Sequence, residues 1–180
     1  MARYPRELER SVRLSDGGTV SIRPIRPADR EIEQAFVQGL SPESRYFRFL
    51  DSLTQLSPQM LQHFTDIDYQ RHMALIAVTD ASGREVEIGV TRYVVVPPQD
   101  TACEFAIAVA DAWRRRGLGR ALLAALIEVA RTRGLGSMYG DILAGNSGML
   151  GFVTSMGFRI EHNPEDPQLR RAVFELQAAS

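Results

Sequence analysis

The residues most able to do chemistry lie in Glu104–Leu123, EFAIAVADAWRRRGLGRALL. Alternating apolar residues lead through a turn into Arg114-Arg115-Arg116-Gly117-Leu118-Gly119-Arg120, then into a Leu- and Ala-rich run with helical periodicity. The first N–H groups of a helix have no carbonyl one turn back. Glycine lets a ligand approach the main chain without a Cβ in the way. With the helix dipole, these features make an anion site suited to a pyrophosphate. The neighbouring arginines add positive charge. The plain alternative is a strand-to-helix turn with a solvated basic run.

The strand before that turn adds a carboxylate. If side chains alternate over 102–110, Cys103, Phe105, Ile107 and Val109 form one face, and Ala102, Glu104, Ala106, Ala108 and Ala110 the other. The first face packs. The second is nearly flat, so a thin ligand arm can lie along the backbone there, beside one carboxylate. Glu104 can serve as a proton acceptor, or it can pair with an arginine such as Arg92 on a neighbouring strand.

Two familiar phosphate-binding templates fail. The P-loop needs Gly-Lys followed by Ser or Thr, and all 21 basic residues here are Arg. The dinucleotide fingerprint needs a third glycine, where this chain has Leu122. His63, His72 and His162 lack metal-ligand spacing and partner cysteines, so no metal site is expected. Cys103 falls on the apolar face and reads as core. Trp113 reads as a packing anchor, and Tyr46, Phe47 and Phe49 as mostly core.

The elements that must position these residues are legible in outline. Residues 1–18 carry charge without apolar periodicity and read as a loose arm. A single domain is expected over 19–180. Val20, Ile22 and Ile25 suggest a short strand. Two or three short helices follow between Ala28 and Asp66, restarted by Ser41-Pro42 and Ser57-Pro58, each a Ser cap followed by Pro at the first helical position. Residues 73–78 and 85–96 read as a hairpin around Asp80-Ala81-Ser82-Gly83. Residues 102–110 add a third strand. The strongest helix spans 117–133, with 118, 122, 125, 126 and 129 on one face. A strand over 138–142, a short helix over 147–156 and terminal strands over 158–161 and 171–176 complete an α/β domain on a mixed sheet. Asn146 precedes the short helix, as an N-cap or as a ligand contact.

Composition sets outer bounds. The chain is 44% hydrophobic and 24% charged, with a net charge of −1. It can bury a core, and it offers no electrostatic case for nucleic acid. No run is long and apolar enough to cross a membrane, and the polar N-terminus is not a secretory signal. One cysteine points to a reducing, cytoplasmic setting.

The motif also carries a resemblance. Arg114, Gly117 and Gly119 occupy the defined positions of (Gln/Arg)-x-x-Gly-x-(Gly/Ala), the acetyl-CoA motif of the GNAT superfamily of N-acyltransferases. Asn146, Met149 and Gly157-Phe158 resemble the later motif of that family. IRPIRPADR (22–30), LSPESRYFRFL (40–50), CEFAIAVADAW (103–113) and GDILAGNSGML (140–150) are similar to the acetyltransferase domain of bacterial Pat-type protein lysine acetyltransferases. The likeness spans about Thr19 to Phe158. It implies a GNAT-like mixed, mostly antiparallel central sheet flanked by helices, with acetyl-CoA as co-substrate. It implies cofactor contacts at Ile107, Ala108 and Val109, along Arg114, Arg115, Arg116, Gly117, Leu118, Gly119 and Arg120, and at Asn146 and Met149. The Val109 amide would polarise the thioester carbonyl, and Glu104 would be the general base. The acceptor would be a protein lysine; a small amine, or no acceptor at all in an acyl-CoA-binding regulator, are the alternatives. Where many relatives carry a Tyr four residues before Gly-Phe, this chain has Val153, leaving the leaving-group proton to solvent or to a group such as Ser155, or else the step needs no acid.

Overall fold

A computed structural model describes residues 2–177. Eight strands form one sheet in the order β1-β2-β3-β4-β5-β6-β8-β7. The strands are β1 (Arg10–Arg13), β2 (Thr19–Pro24), β3 (His72–Ala81), β4 (Arg84–Val95), β5 (Ala102–Val109), β6 (Ser137–Leu143), β7 (Arg159–His162) and β8 (Leu169–Glu175). All neighbours are antiparallel except β5 and β6. The helices are α1 (Arg30–Gly39), α2 (Pro42–Phe49), α3 (Pro58–Thr65), α4 (Leu118–Thr132) and α5 (Ser147–Ser155). This is the mixed, mostly antiparallel sheet flanked by helices that the sequence led us to expect.

Local chemistry explains the helix starts. The Ser41 and Ser57 side chains accept from the N–H groups of Ser44 and Met60, and Pro42 and Pro58 open the two helices. Helix α4 buries Leu118, Leu122, Ala125, Leu126 and Val129, as their spacing predicts. It packs against β3, β4 and β5. Gly134, with φ +77°, ends it, and the Leu135 N–H closes back on the Ala130 carbonyl.

The N-terminal segment corrects one expectation. Residues 10–13 are not a loose arm: they form edge strand β1, paired with β2 from Arg10↔Ile22 to Arg13↔Thr19. The loop beyond is tied inward, with the Ser15 N–H donating to the Arg116 carbonyl at 2.9 Å. An edge strand carrying only Val12 as an apolar residue shows no alternation; its order comes from the ladder. Met1 and residues 178–180 of the expected boundaries lie outside the described residues.

On the sheet face opposite α4, α1 packs on β4 over a charged cluster. Arg92 donates to Glu33 at 3.0 Å, and both side chains are buried. Its other amino group lies 3.2 Å from His72 Nε2. Arginine only donates, so that nitrogen accepts and the proton sits on Nδ1. Burial, then the Arg92 charge, pushes the His72 pKa down to about 3. Glu87 lies in the same cluster, where burial and the Glu33 charge raise its carboxyl well above the ordinary range.

Candidate active site

The parallel junction is short. Strands β5 and β6 pair only over Ala102↔Ser137, Cys103↔Met138 and Glu104↔Tyr139, and then part. Gly140 sits where they part: a Cβ there would stand 2.7 Å from the Phe105 ring and 3.1 Å from the Phe105 carbonyl oxygen. Beyond that point one edge of β5 has no strand beside it. Toward β4, the Val96 N–H donates to the Ala102 carbonyl and the Ala110 N–H to the Ile88 carbonyl. Even-numbered residues of β5 therefore turn their backbone groups toward β4. Ile107 and Val109 turn theirs toward the gap.

The gap opens into a cleft of about 820 Å³. Its floor is Ala106, Ile107, Ala108 and Val109 of β5. One wall is α2, through Ser44, Phe47 and Arg48; the other is β6 and α5, through Asp141, Asn146 and Met149. One end is closed by Arg114, Arg115, Gly117, Gly119 and Arg120. Glu104 stands on the floor strand toward the other end.

The turn before α4 is built for close approach. Arg115 and Gly117 are both left-handed, at φ +60° and +85°. Gly117 caps the helix without a side chain, so the N–H groups of Leu118, Gly119 and Arg120 face outward from the helix start. The Arg114 guanidinium donates to Ser44 Oγ at 2.8 Å, and Ser44 Oγ donates to Asp111 at 2.8 Å, which fixes α2 against this turn. Partial burial raises the Asp111 pKa, but the Ser41 N–H, the Ser44 hydroxyl and Arg114 outweigh it and hold the carboxyl below its ordinary value.

Two residues of the predicted set turn elsewhere. The Arg116 guanidinium lies 4.6 Å over the Trp113 ring and 3.5 Å from Asp16. The Leu118 side chain is buried in the core, leaving only its N–H at the cleft end. Ten of the predicted cofactor contacts do line the cleft: Ile107, Ala108, Val109, Arg114, Arg115, Gly117, Gly119, Arg120, Asn146 and Met149. Asn146 caps α5, its side chain accepting from the Met149 N–H at 3.2 Å. Asn146 thus caps α5 and lines the cleft at once.

Glu104 does not pair with Arg92, whose partner is Glu33. No side chain or backbone group among the described residues hydrogen-bonds to its carboxylate. Partial burial in the cleft, then the charge of Asp141, raises its pKa, while Arg171 and Arg48 pull it back. Asp141 is itself held by Arg171, at 2.9 Å from Nε and 3.1 Å from Nη2. Ser155 is occupied: its hydroxyl donates to the Phe152 carbonyl at 2.6 Å and accepts from Arg120 at 3.1 Å. Val153 is fully buried. Burial raises the Cys103 thiol to about 12, so this residue is core and no nucleophile. Tyr46, read as core, is instead 44% exposed. Among the described residues, no group of His, Cys, Asp and Glu side chains could hold a metal ion, and no helix is long and apolar enough to cross a membrane.

Sequence reasoning missed Arg48, Asp141 and Arg171, whose charges act on Glu104. Arg171 reaches the site only through the β6–β8 register, Asp141↔Arg171, for which the sequence carries no local signal.

A strand that parts from its parallel neighbour, with free main-chain amides along its edge and a glycine-capped helix start at its end, suits a ligand with an extended arm and an anionic end. The chain belongs to the acetyltransferase (GNAT) family, whose model matches residues 40–158; it is an N-acetyltransferase, with acetyl-CoA as acyl donor. It is 39% identical over 153 residues to an acetyltransferase of Pseudomonas aeruginosa, across 85% of this chain and 82% of that protein. It is 27% identical over 146 residues to the acetyltransferase Pat of Mycolicibacterium smegmatis, covering 81% of this chain and 43% of that protein. The crystal structure of the GNAT domain of S. lividans PAT superposes with a TM-score of 0.88 at 29% identity, over 96% of this chain and 99% of that one.

Proposed function

We propose that the chain acetylates lysine side chains of proteins by direct transfer within a ternary complex, with Glu104 as general base. The observation that carries this reading is the unpaired Glu104 carboxylate on the strand that floors the cleft. A lysine ammonium has a pKa near 10.4, so only about one molecule in 10³ is neutral at pH 7. The amine must lose a proton before its lone pair can attack. A carboxylate whose pKa is raised and which no arginine occupies suits that task, directly or through one water.

The other parts follow from the backbone. The N–H groups of Leu118, Gly119 and Arg120, with Arg114, Arg115 and Arg120, would hold the pyrophosphate. Ile107 and Val109 would pair with pantetheine through their gap-facing groups, and the Val109 N–H would support the carbonyl oxygen as negative charge develops. Asn146 and Met149 would flank the pantetheine arm. Glu104 takes one proton from the ammonium, the freed amine nitrogen bonds to the thioester carbon, the C–S bond breaks as the thiolate leaves, and the nitrogen sheds its second proton to water. With Val153 buried and the Ser155 proton committed to Phe152, the thiolate takes its proton from solvent.

The lysine acceptor is supported by the resemblance of 22–30, 40–50, 103–113 and 140–150 to Pat-type protein lysine acetyltransferases. A single buried thiol suits the cytoplasm. Incubating the enzyme with labelled acetyl-CoA and cell lysate, then identifying acetylated species by mass spectrometry, tests the reading. Label on lysine residues of protein supports it; label confined to small amines, or absence of thiol release with any acceptor, overturns it.

A further inference from the structure

Arg48 is the cleft-lining guanidinium that the proposed reaction leaves unused. Helix α2 starts beside the phosphate end, where Ser44 meets Arg114 and Asp111. Arg48 lies one turn further along, about 6 Å up the helix axis. Strand β5 runs from Glu104 toward Asp111, so α2 travels back along it and brings Arg48 toward the Glu104 end. The two side chains feel one another's charge without touching.

The neighbouring arginines are occupied. Arg92 is held by Glu33, Arg171 by Asp141, and Arg45 by the carbonyls of Gln38, Leu40 and Leu53. Among the described residues Arg48 has neither a hydrogen-bond acceptor nor a carboxylate at ion-pair distance; its guanidinium lies 4.7 Å over the Phe49 ring. Burial, then the charge of Arg92, lowers its pKa to about 10, which still leaves it cationic at neutral pH. A partly buried cation without a counter-ion is costly, and a carboxylate brought by a ligand relieves that cost. Glu104 and Arg48 thus offer the acceptor a separated pair of opposite charges, one for an ammonium and one for an anion beside it.

We propose that Arg48 is a specificity-determining residue that receives an acidic side chain next to the acceptor lysine, so that lysines flanked by Asp or Glu are favoured. This inference rests on the protein-lysine reading above. Its test is a set of lysine peptides differing only in Glu, Gln or Arg on either side of the lysine, assayed by thiol release at saturating acetyl-CoA. The expected kcat/KM is about tenfold higher for Glu than for Gln peptides, the scale of one charge-assisted contact. In Arg48→Gln that ratio falls to about one, while Arg48→Lys, which restores charge, keeps a ratio of about three. Equal rates for Glu and Gln peptides in the wild-type enzyme overturn the inference and leave the lysine reading standing. A ratio that survives in Arg48→Gln, or one lost equally in Arg48→Lys, also overturns it, the latter because packing on Phe49 rather than charge would then be acting. Acetylation of free amines with none of any lysine peptide removes the lysine reading and this inference together.

Discussion

Arg92 spends its charge on Glu33, at 3.0 Å in the buried layer under α1, and so leaves the Glu104 carboxylate two residues along β5 from its own cross-strand partner, Ala106, without a guanidinium in contact. Glu104→Gln should therefore keep the affinity for acetyl-CoA in calorimetry but lower turnover by about 10²-fold or more, the range for a removed general base. Full turnover in this variant would assign Glu104 to structure.

The same carboxylate sets a pH dependence. Partial burial and Asp141 raise its pKa above the ordinary 4.5, and the base works only when deprotonated. Activity should rise with pH through a limb displaced upward from 4.5. Asp141→Asn removes a like charge and frees Arg171, so both effects move that limb to lower pH. A pH profile of kcat/KM in the two proteins measures the displacement.

Gly117 holds φ +85° at the start of α4. Gly117→Ala forces a Cβ into the left-handed region, at about 1–2 kcal/mol, although nothing lies within 4 Å to clash with it. We expect a melting temperature lowered by about 2–8 °C, and weaker acetyl-CoA binding as the turn relaxes. Thermal unfolding and calorimetry on one preparation separate the two effects.

Gly140→Ala acts through contact instead. The added Cβ would meet the Phe105 ring at 2.7 Å, where β5 and β6 part. Overpacking of this kind costs about 1–3 kcal/mol, and urea unfolding should show it. Loss of acetyl-CoA affinity should accompany it, since Phe105 shares the floor strand with Ile107.

His72 carries a stability prediction. Its pKa is lowered to about 3 in the fold, against about 6.5 when unfolded. Below pH 6.5 the unfolded chain binds a proton that the folded chain refuses, so this residue's contribution falls as the pH drops toward 3. Between pH 7 and pH 5 the loss is about 2 kcal/mol. His72→Gln should flatten that part of the pH dependence in urea unfolding, whatever its stability at pH 7.

Features decided within a few neighbouring residues were legible in the chain itself. Ser41-Pro42 and Ser57-Pro58 start helices because the cap and the first turn are local. Gly117 and Gly119 mark a turn because only backbone freedom is required there. The alternation over 102–110 separates the packed face from the flat one because the strand period is two. The family motifs rest on the same local geometry, and the sequence alone therefore determined the fold class, the cleft's floor and its arginine-and-glycine end. Which charges meet was decided only in three dimensions. Arg92 could face Glu33 or Glu104, Arg116 could reach the cleft or Trp113, and β1 could pair or stray; register and burial chose each outcome. Ion pairing depends on distances between strands far apart in the chain and on how much water remains around them, and neither quantity is written in a run of neighbouring residues.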